Sequence, residues 1–196
     1  KSNKIYCSKT KKQIINQKNT NLIGLHNLSN MMAAIQIAKI YKISHELIKL
    51  AIENFNPLSH RMEVLKINSN ITFINDSKGT NLVSTMAAIE SLNNKIVLIM
   101  GGYNDEKINL DIIKKISCKN YIHKIVCYGK TGKLISKNIE NCNYKKIFSD
   151  AVLFAIESAI PNSTLLLSPG FKSFDQFTSF EERGNAFKNI VSKYFA

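Results

Sequence analysis

No apolar run in these 196 residues approaches the roughly 20 that a membrane-spanning helix needs, and no signal-peptide pattern opens the chain. The expectation is a cytoplasmic protein with no membrane partner. Cysteine is scarce. Cys7, Cys118, Cys127 and Cys142 share no C-x-x-C spacing and stand near no ligand pattern, so they are expected as buried or incidental thiols, neither a metal site nor a disulfide frame. Acidic residues are few as well, 14 against 27 lysines and arginines, which leaves a formal charge of +13. The lysines are scattered rather than gathered in one block, and no RNP, zinc-knuckle or helix-turn-helix wording accompanies them. Lysine, isoleucine and asparagine are abundant together and all have AT-rich codons, which suffices to explain the charge. No nucleic-acid partner is expected, and a phosphate-rich small substrate would be served by the same charge. There is no internal repeat and no low-complexity linker. The first residue is Lys1, not Met, so the chain is either processed or a piece of something longer.

The length suffices for one good core plus a small extra piece, and a hydrophobic fraction of 44% fits a globular protein. Residues 1–21 are basic and polar with two apolar patches, Ile5-Tyr6-Cys7 and Ile14-Ile15. They read as the last strands of a preceding domain, too little to make a core. Residues 22–30 predict a short strand, a turn at Gly24 and a helix start. Met32, Ile35, Ala38 and Ile40 then recur at helical spacing and predict a buried helix. Ser44 is suited to cap a second helix, with Leu47, Ile48, Ala51, Ile52 and Phe55 on one face. Asn56-Pro57 ends it, so the domain boundary is placed there, dividing the chain into 1–56 and 57–196.

Beyond Pro57 the rhythm becomes β/α. Strands are predicted at 62–67 and 71–74 (a hairpin), 95–100, 124–128, 144–148 (edge-like) and 164–167. Helices are predicted at 84–92, 110–116, 132–137, 150–160 (capped by Ser149 or Asp150) and about 176–195. Continuous apolar strands alternating with helices imply an α/β fold whose mostly parallel sheet carries helices on both faces. Such a sheet builds its ligand site at the strand C-termini. Four polar, glycine-bearing loops fall there: 76–81, 101–107, 129–133 and 168–173.

The stretch 71–81, ITFINDSKGTN, is the richest of these. Asp76 can accept from a sugar hydroxyl, and Lys78 can neutralise a phosphate or a developing oxyanion. Gly79 permits close backbone approach, and Thr80 or Asn81 can cap the helix that follows. A polar loop with a helix cap is the plain alternative. Just upstream, Arg61 has the fork geometry to bridge phosphate oxygens, while His60 is compatible with a surface position. Gly129-Lys130-Thr131 is not a P-loop, because the first glycine of that pattern is replaced by Lys124 inside a strand. Gly101-Gly102 lacks the G-x-G-x-x-G spacing and is a tight turn, followed by Asp105, Glu106 and Lys107, the last able to hold a substrate carboxylate. Glu181-Glu182-Arg183-Gly184 reads as a solvated helix face, or a pair orienting the loop before it.

The wording is more specific than the pattern. GLHNLSNMMAA (24–34), SHRMEV (59–64), INDSKGTN (74–81), IMGG (99–102) and SPGFKSFDQFTSFEERGNAF (168–187) together resemble the Mur ligases, the ATP-dependent enzymes that build the peptidoglycan peptide. The last stretch, with DQF, FE and RGNAF in sequence, is similar to the branch that adds D-glutamate to UDP-N-acetylmuramoyl-L-alanine. The resemblance covers nearly the whole chain from Gly24. It implies that 57–196 is a Rossmann-like, amino-acid-binding C-terminal domain and that 1–56 is the helical end of a truncated central ATPase domain. It implies that Asn27 and Asn30 approach the adenine and ribose of ATP, and that Arg61, accompanied by His60, reaches the phosphates. Asp76 would meet the ribose, and Lys78 the acyl phosphate or a substrate carboxylate, with Lys78 and Arg61 as the catalytic pair. Ser77, Lys78, Thr80, Lys107, Ser173 and Phe174 (the last through its backbone) would line the D-glutamate pocket, with Phe180 nearby.

Two departures stand out. Gly170-Phe171-Lys172 occupies the place of small family residues, and Lys107 replaces the family lysine if its loop carries a one-residue insertion. The implied cofactors are ATP and Mg²⁺, held mainly by a part not in this chain, which has neither a phosphate loop nor a metal-binding set of its own. The implied partners are UDP-N-acetylmuramoyl-L-alanine and D-glutamate, acting on a monomer in peptidoglycan synthesis, cell shape and cell division. Two alternatives stay open: another ligase of this superfamily, such as a folylpolyglutamate-type enzyme, or a truncated non-catalytic module that binds nucleotides or RNA.

Overall fold

A computed structural model describes residues 3–8, 10–104 and 108–196, with Leu25 and His26 by backbone alone. The candidate Lys107, with Asp105 and Glu106, therefore lies outside the described residues. The chain divides into two compact units, Lys1–Leu58 and Ser59–Ala196.

In the first unit, strands β1 (Lys4–Tyr6) and β2 (Gln13–Asn16) pair antiparallel, and helices α1 (Leu25–Ile40) and α2 (His45–Glu53) follow. Contrary to the expectation from 1–21 alone, a small core forms. Ile5, Ile14 and Ile15 of the hairpin are buried with Met31, Ile35 and Ile48, because the two helices supply its other half. No strand forms at 22–23. The Gln17 side chain instead donates to the carbonyls of Leu22 and Gly24, satisfying them without a ladder partner. Gly24, at φ 94°, turns the chain straight into α1. The buried line of α1 is Met31–Ile35, and Met32 and Ile40 are exposed, since the hairpin covers one face only. Ser44 caps α2 by accepting from the Leu47 N–H at 3.3 Å. Only Ile48 of α2 is buried, while Leu47 and Leu50 are exposed, as is Phe55 just beyond it.

The second unit holds a six-stranded sheet built from β3 (Glu63–Val64), β4 (Thr72–Asn75), β5 (Ile96–Gly101), β6 (Ile122–Tyr128), β7 (Cys142–Lys145) and β8 (Thr164–Leu167), in the order β3-β4-β8-β5-β6-β7. β3 is antiparallel to β4, and every other pairing is parallel. The connecting helices are α3 (Leu82–Glu90), α4 (Leu110–Ser117), α5 (Gly129–Ser136), α6 (Phe148–Glu157) and α7 (Phe180–Tyr194). Phe73, Val97, Ile99, Val126, Leu165 and Leu167 bury one sheet face against Phe148, Val152 and Ile156 of α6 and Phe187 and Val191 of α7. The alternate residues Ile74, Leu98, Met100, Ile125 and Leu166 are equally buried on the other face. Burial on both faces explains why these strands read as unbroken apolar runs.

Three local expectations are corrected. α7 begins at Phe180, not near Gln176, because Ser179 caps it (Glu182 N–H to Ser179 Oγ, 3.1 Å) while the Glu182 carboxylate takes the Thr178 N–H and hydroxyl, both at 2.7 Å. Neither Ser149 nor Asp150 caps α6: the first N–H, that of Phe148, donates to Gln176 Oε1 at 2.9 Å. Cys127 and Cys142 form a disulfide, with Cα atoms 6.4 Å apart. Their spacing gave no sign of it, because only the parallel β6–β7 register, which sets Cys142 opposite Ile125, brings them together.

Candidate active site

The C-terminal ends of β4, β8, β5 and β6 stand side by side, and their loops are bonded to one another by backbone. Gly170 N–H donates to Gly79 O (2.8 Å), Tyr103 N–H to Lys172 O (2.9 Å), and Thr131 N–H and Oγ1 to Gly102 O (3.0 and 2.7 Å). All four loops expected at one sheet edge therefore meet there. Gly101 and Gly102 hold φ values of 135° and 126°, where a Cβ would strike the Tyr128 and Lys172 backbones, so the double glycine serves close packing of β5 against its neighbours.

Arg183 ties this edge together. It is fully buried. Its Nε donates to Ser77 Oγ (2.9 Å), Nη2 to Ser77 O (2.7 Å), and Nη1 to Phe171 O (3.0 Å) and Tyr128 OH (3.2 Å). One guanidinium fork thus reaches the ends of β4, β8 and β6. The expectation that 181–184 is a solvated face fails for Arg183 and Gly184, both buried. Arg183, Phe187 and Val191 follow one another at four-residue spacing on the buried stripe of α7, and that periodicity was the available signal. Ser77 is buried, and its hydroxyl is committed to Arg183 and, as donor, to Phe180 O at 2.8 Å.

His60 is not a surface residue: only 5% of it is exposed. Its φ of 65° and that of Met62, 49°, place a strained turn at the start of the unit. Asn75, wholly buried at the end of β4, directs its Nδ2 at His60 Nδ1 (3.0 Å), Glu63 Oε2 (3.1 Å) and Gly184 O (3.2 Å), while its Oδ1 accepts from Ser77 N–H. An amide donor facing Nδ1 suits a neutral imidazole with its proton on Nε2. Burial above all, with the Lys188 ammonium adding, lowers the His60 pKa; Glu63 and Glu181 oppose this. Lys188 in turn bridges Glu63 Oε1 at 3.2 Å.

The Lys78 N–H donates to His60 O (3.0 Å), and its ammonium lies 4.0 Å from the centroid of Phe180, whose ring meets that of His60 edge-on. The cation is thereby held at the sheet edge on an aromatic face, with no ion pair to a carboxylate among the described residues, and its charge suits an anionic ligand. Asp76 is 8% exposed, and its oxygens accept from Met62 N–H (3.3 Å) and the Ser168 hydroxyl (2.8 Å). Burial raises its pKa to about 6 despite these hydrogen bonds and the nearby Arg61 and Arg183. Arg61 is exposed, Thr80 half-buried, Ser173 buried and Phe174 64% exposed. Tyr128, pushed up to about 12 by burial, remains a neutral phenol. The structure thus gathers His60, Arg61, Asp76, Ser77, Lys78, Thr80, Ser173, Phe174 and Phe180 in one unit. Asn27 and Asn30 belong to the other, on the first turns of α1, where Asn27 Nδ2 donates to Ile23 O and Asn30 Nδ2 to Asn27 Oδ1. Sequence reasoning missed Asn75, Tyr128 and Arg183: the first two are recognisable only through their partners, the third also through its place on the buried stripe of α7.

A held ammonium, an exposed guanidinium and a buried carboxyl on one edge suit the recognition and activation of an anionic, phosphate-bearing substrate. Residues 60–171 match the family described as Mur ligase, glutamate ligase domain. The UDP-N-acetylmuramoylalanine–D-glutamate ligase of Clostridioides difficile is 39% identical over 189 residues, covering 92% of this chain and 41% of that protein. That of Prochlorococcus marinus is 35% identical over 197 residues, covering 96% and 42%. The chain therefore spans about two fifths of the length of these curated relatives. Among solved structures, MurF from Acinetobacter baumannii superposes with a TM-score of 0.69 at 19% identity, over 88% of this chain and 39% of that one. Folylpolyglutamate synthase from Mycobacterium tuberculosis, complexed with ADP and AMPPCP, gives 0.61 at 12%, over 87% and 41%. At those identities the likeness concerns the fold alone.

Proposed function

The chain belongs to the Mur ligase family, and on that premise we propose that it is the C-terminal portion of an ATP-dependent ligase that joins D-glutamate to UDP-N-acetylmuramoyl-L-alanine. Residues 59–196 are read as the amino-acid-binding domain and the first unit as the end of the ATP-binding domain before it. The observation that carries this is the Lys78 ammonium, held over the Phe180 ring in the loop after β4, one of the four loops that meet at the C-terminal edge of the sheet. It suits a reaction in which negative charge moves onto an acyl oxygen.

ATP supplies the phosphoryl group that converts the alanyl carboxylate into an acyl phosphate. The amine of D-glutamate then attacks the acyl carbon, the C–N bond forms, and the C–O bond to phosphate breaks. Within this chain, Lys78 stabilises the oxyanion of the tetrahedral intermediate, and the loop ends at Thr80, Ser173 and Phe174 orient the amine for attack. Arg61 suits phosphate oxygens, its exposed fork lying beside Asp76, whose position at the β4 end suits a ribose hydroxyl. Mg²⁺ accompanying the triphosphate is assigned mainly to the part of the enzyme outside this chain. Peptidoglycan precursor synthesis in the cytoplasm, by a monomer, is the corresponding cellular role.

The test is phosphate release from ATP, Mg²⁺ and UDP-N-acetylmuramoyl-L-alanine by the product of this gene read from its start codon. D-glutamate, L-glutamate and meso-diaminopimelate are compared as acceptors. Release dependent on D-glutamate alone supports the reading. A preference for another acceptor, or silence from a folded product, overturns it.

A further inference from the structure

After β8 the chain does not enter α7 directly. Residues 171–177 cross the C-terminal edge of the sheet and are pinned at successive strand ends. Lys172 O receives the Tyr103 N–H from the β5 loop at 2.9 Å. Asp175 Oδ2 accepts the Lys130 N–H in the first turn of α5 at 3.2 Å. Gln176 Oε1 accepts the first N–H of α6, that of Phe148, at 2.9 Å, and its Nε2 donates to Lys146 O at 3.0 Å. Phe177 stacks edge-on against Phe148, with ring centroids 5.0 Å apart. Neither α5 nor α6 has a side-chain cap from its own N-cap residue, so both take one from this strap.

The approach is built in on the other side as well. Gly129, at φ 69°, suits this approach: its left-handed backbone favours glycine, and a Cβ would overlap Asp175 Oδ2 where it now sits. This accounts for the glycine of the Gly129-Lys130-Thr131 sequence, which is not part of a phosphate loop. Asp175 Oδ1 is buried with no hydrogen-bond partner among the described residues. A loosely attached segment would turn that oxygen to water; here the carboxylate is held in place against its own desolvation.

Ser173 and Phe174 lie between the pins at Lys172 and at Asp175, and Ser173 O takes the N–H groups of Gln176 and Phe177 in the turn that follows. We infer that Asp175 and Gln176 are positioning residues for the amino-acid pocket: by docking the strap on the N-termini of α5 and α6 they set where Ser173 and Phe174 meet the substrate. This rests on the reading of 173–174 as part of the D-glutamate pocket.

Two measurements decide it. In the first, amide exchange and shifts of this chain are followed by NMR in Asp175→Ala, Gln176→Ala and the milder Gln176→Glu, which keeps the acceptor for Phe148 and loses the donor to Lys146. Protection is expected to fall at Lys130 or Phe148 respectively, with the Ser173 and Phe174 resonances moving in both alanine variants and little in Gln176→Glu. In the second, the full gene product carrying the same substitutions is assayed. The KM for D-glutamate is expected to rise about tenfold while the KM for ATP holds within about twofold, with Gln176→Glu recovering most of the loss. Helix amides that lose protection while Ser173 and Phe174 stay put would overturn the inference, as would kcat and melting temperature falling together at unchanged KM for D-glutamate. If the unsubstituted product does not use D-glutamate, the functional reading falls, and the NMR result still decides whether these two side chains place the strap.

Discussion

Burial raises the Asp76 carboxyl from its ordinary 3.8 to about 6, so between those values the folded chain keeps a proton that the unfolded chain has lost. Its contribution to stability is fully present below 3.8 and is gone above about 6. A shift of that size corresponds to a few kcal/mol, about 3 as an upper figure. Asp76→Asn is expected to remove this part of the pH dependence: urea midpoints of wild type and variant should diverge in the variant's favour from pH 4 to pH 6, then run parallel. Parallel curves throughout would show that the carboxyl is not buried as described. Arg183 belongs at the same scale. Arg183→Ala strands Ser77 O, Phe171 O and the Tyr128 hydroxyl without their donor and opens a cavity, for an expected loss of about 3 kcal/mol or more in chemical unfolding. Arg183→Lys should recover little of it, because an ammonium cannot span three strand ends. At this scale the placement of Asp76 and Lys78 just past the end of an apolar strand was legible. The bonding of Arg183 and the burial of His60 were not legible, because both types imply exposure and key partners lie far along the chain, Ser77 106 positions from Arg183 and Asn75 15 from His60.

Among the elements, α7 begins on a reciprocal cap that the sequence writes locally: Ser179 receives the Glu182 N–H while Glu182 reaches back to Thr178. Ser179→Ala is expected to destabilise the chain by about 1 kcal/mol and to accelerate amide exchange in the first turn of α7. An unchanged melting curve with unchanged exchange would place the start of the helix elsewhere. The interior strands β5, β6 and β8 could be read from their apolar runs, as could β4, because burial on both sheet faces leaves a plain signature; β3 shrinks from the expected 62–67 to Glu63–Val64, with Val64 exposed. The start of α6 could not. Its cap is Gln176, 28 residues downstream, and nothing near Phe148 announces it. The first unit shows the same limit from the other direction: helical spacing marked α1 and α2, but spacing alone cannot say how much of an apolar face finds a partner, and Ile37, Ile40, Leu47 and Leu50 do not.

For the molecule as a whole, the two units differ in the means to stand alone. Among the described residues, six apolar side chains make the buried core of residues 1–58, whereas residues 59–196 enclose a sheet buried on both faces. A fragment of residues 59–196 is therefore expected to unfold cooperatively and to keep the amide spectrum those residues show in the intact chain. Collapse of its dispersion would mean that residues 1–58 are required for the second unit to fold. The α/β class and the gathering of polar loops at one edge of the sheet were legible from rhythm alone; strand order was not, since periodicity says which face is buried and nothing about neighbours. β8, the last strand made, lies between β4 and β5 at the centre of the sheet. Until residues 164–167 have left the ribosome, β4 with β3 on one side and β5, β6 and β7 on the other have no common partner, and each presents an apolar open edge. Every residue through Leu167 must be made before the halves can join, and a message that stops short of residue 164 yields a chain whose two sheet halves lack the strand that belongs between them.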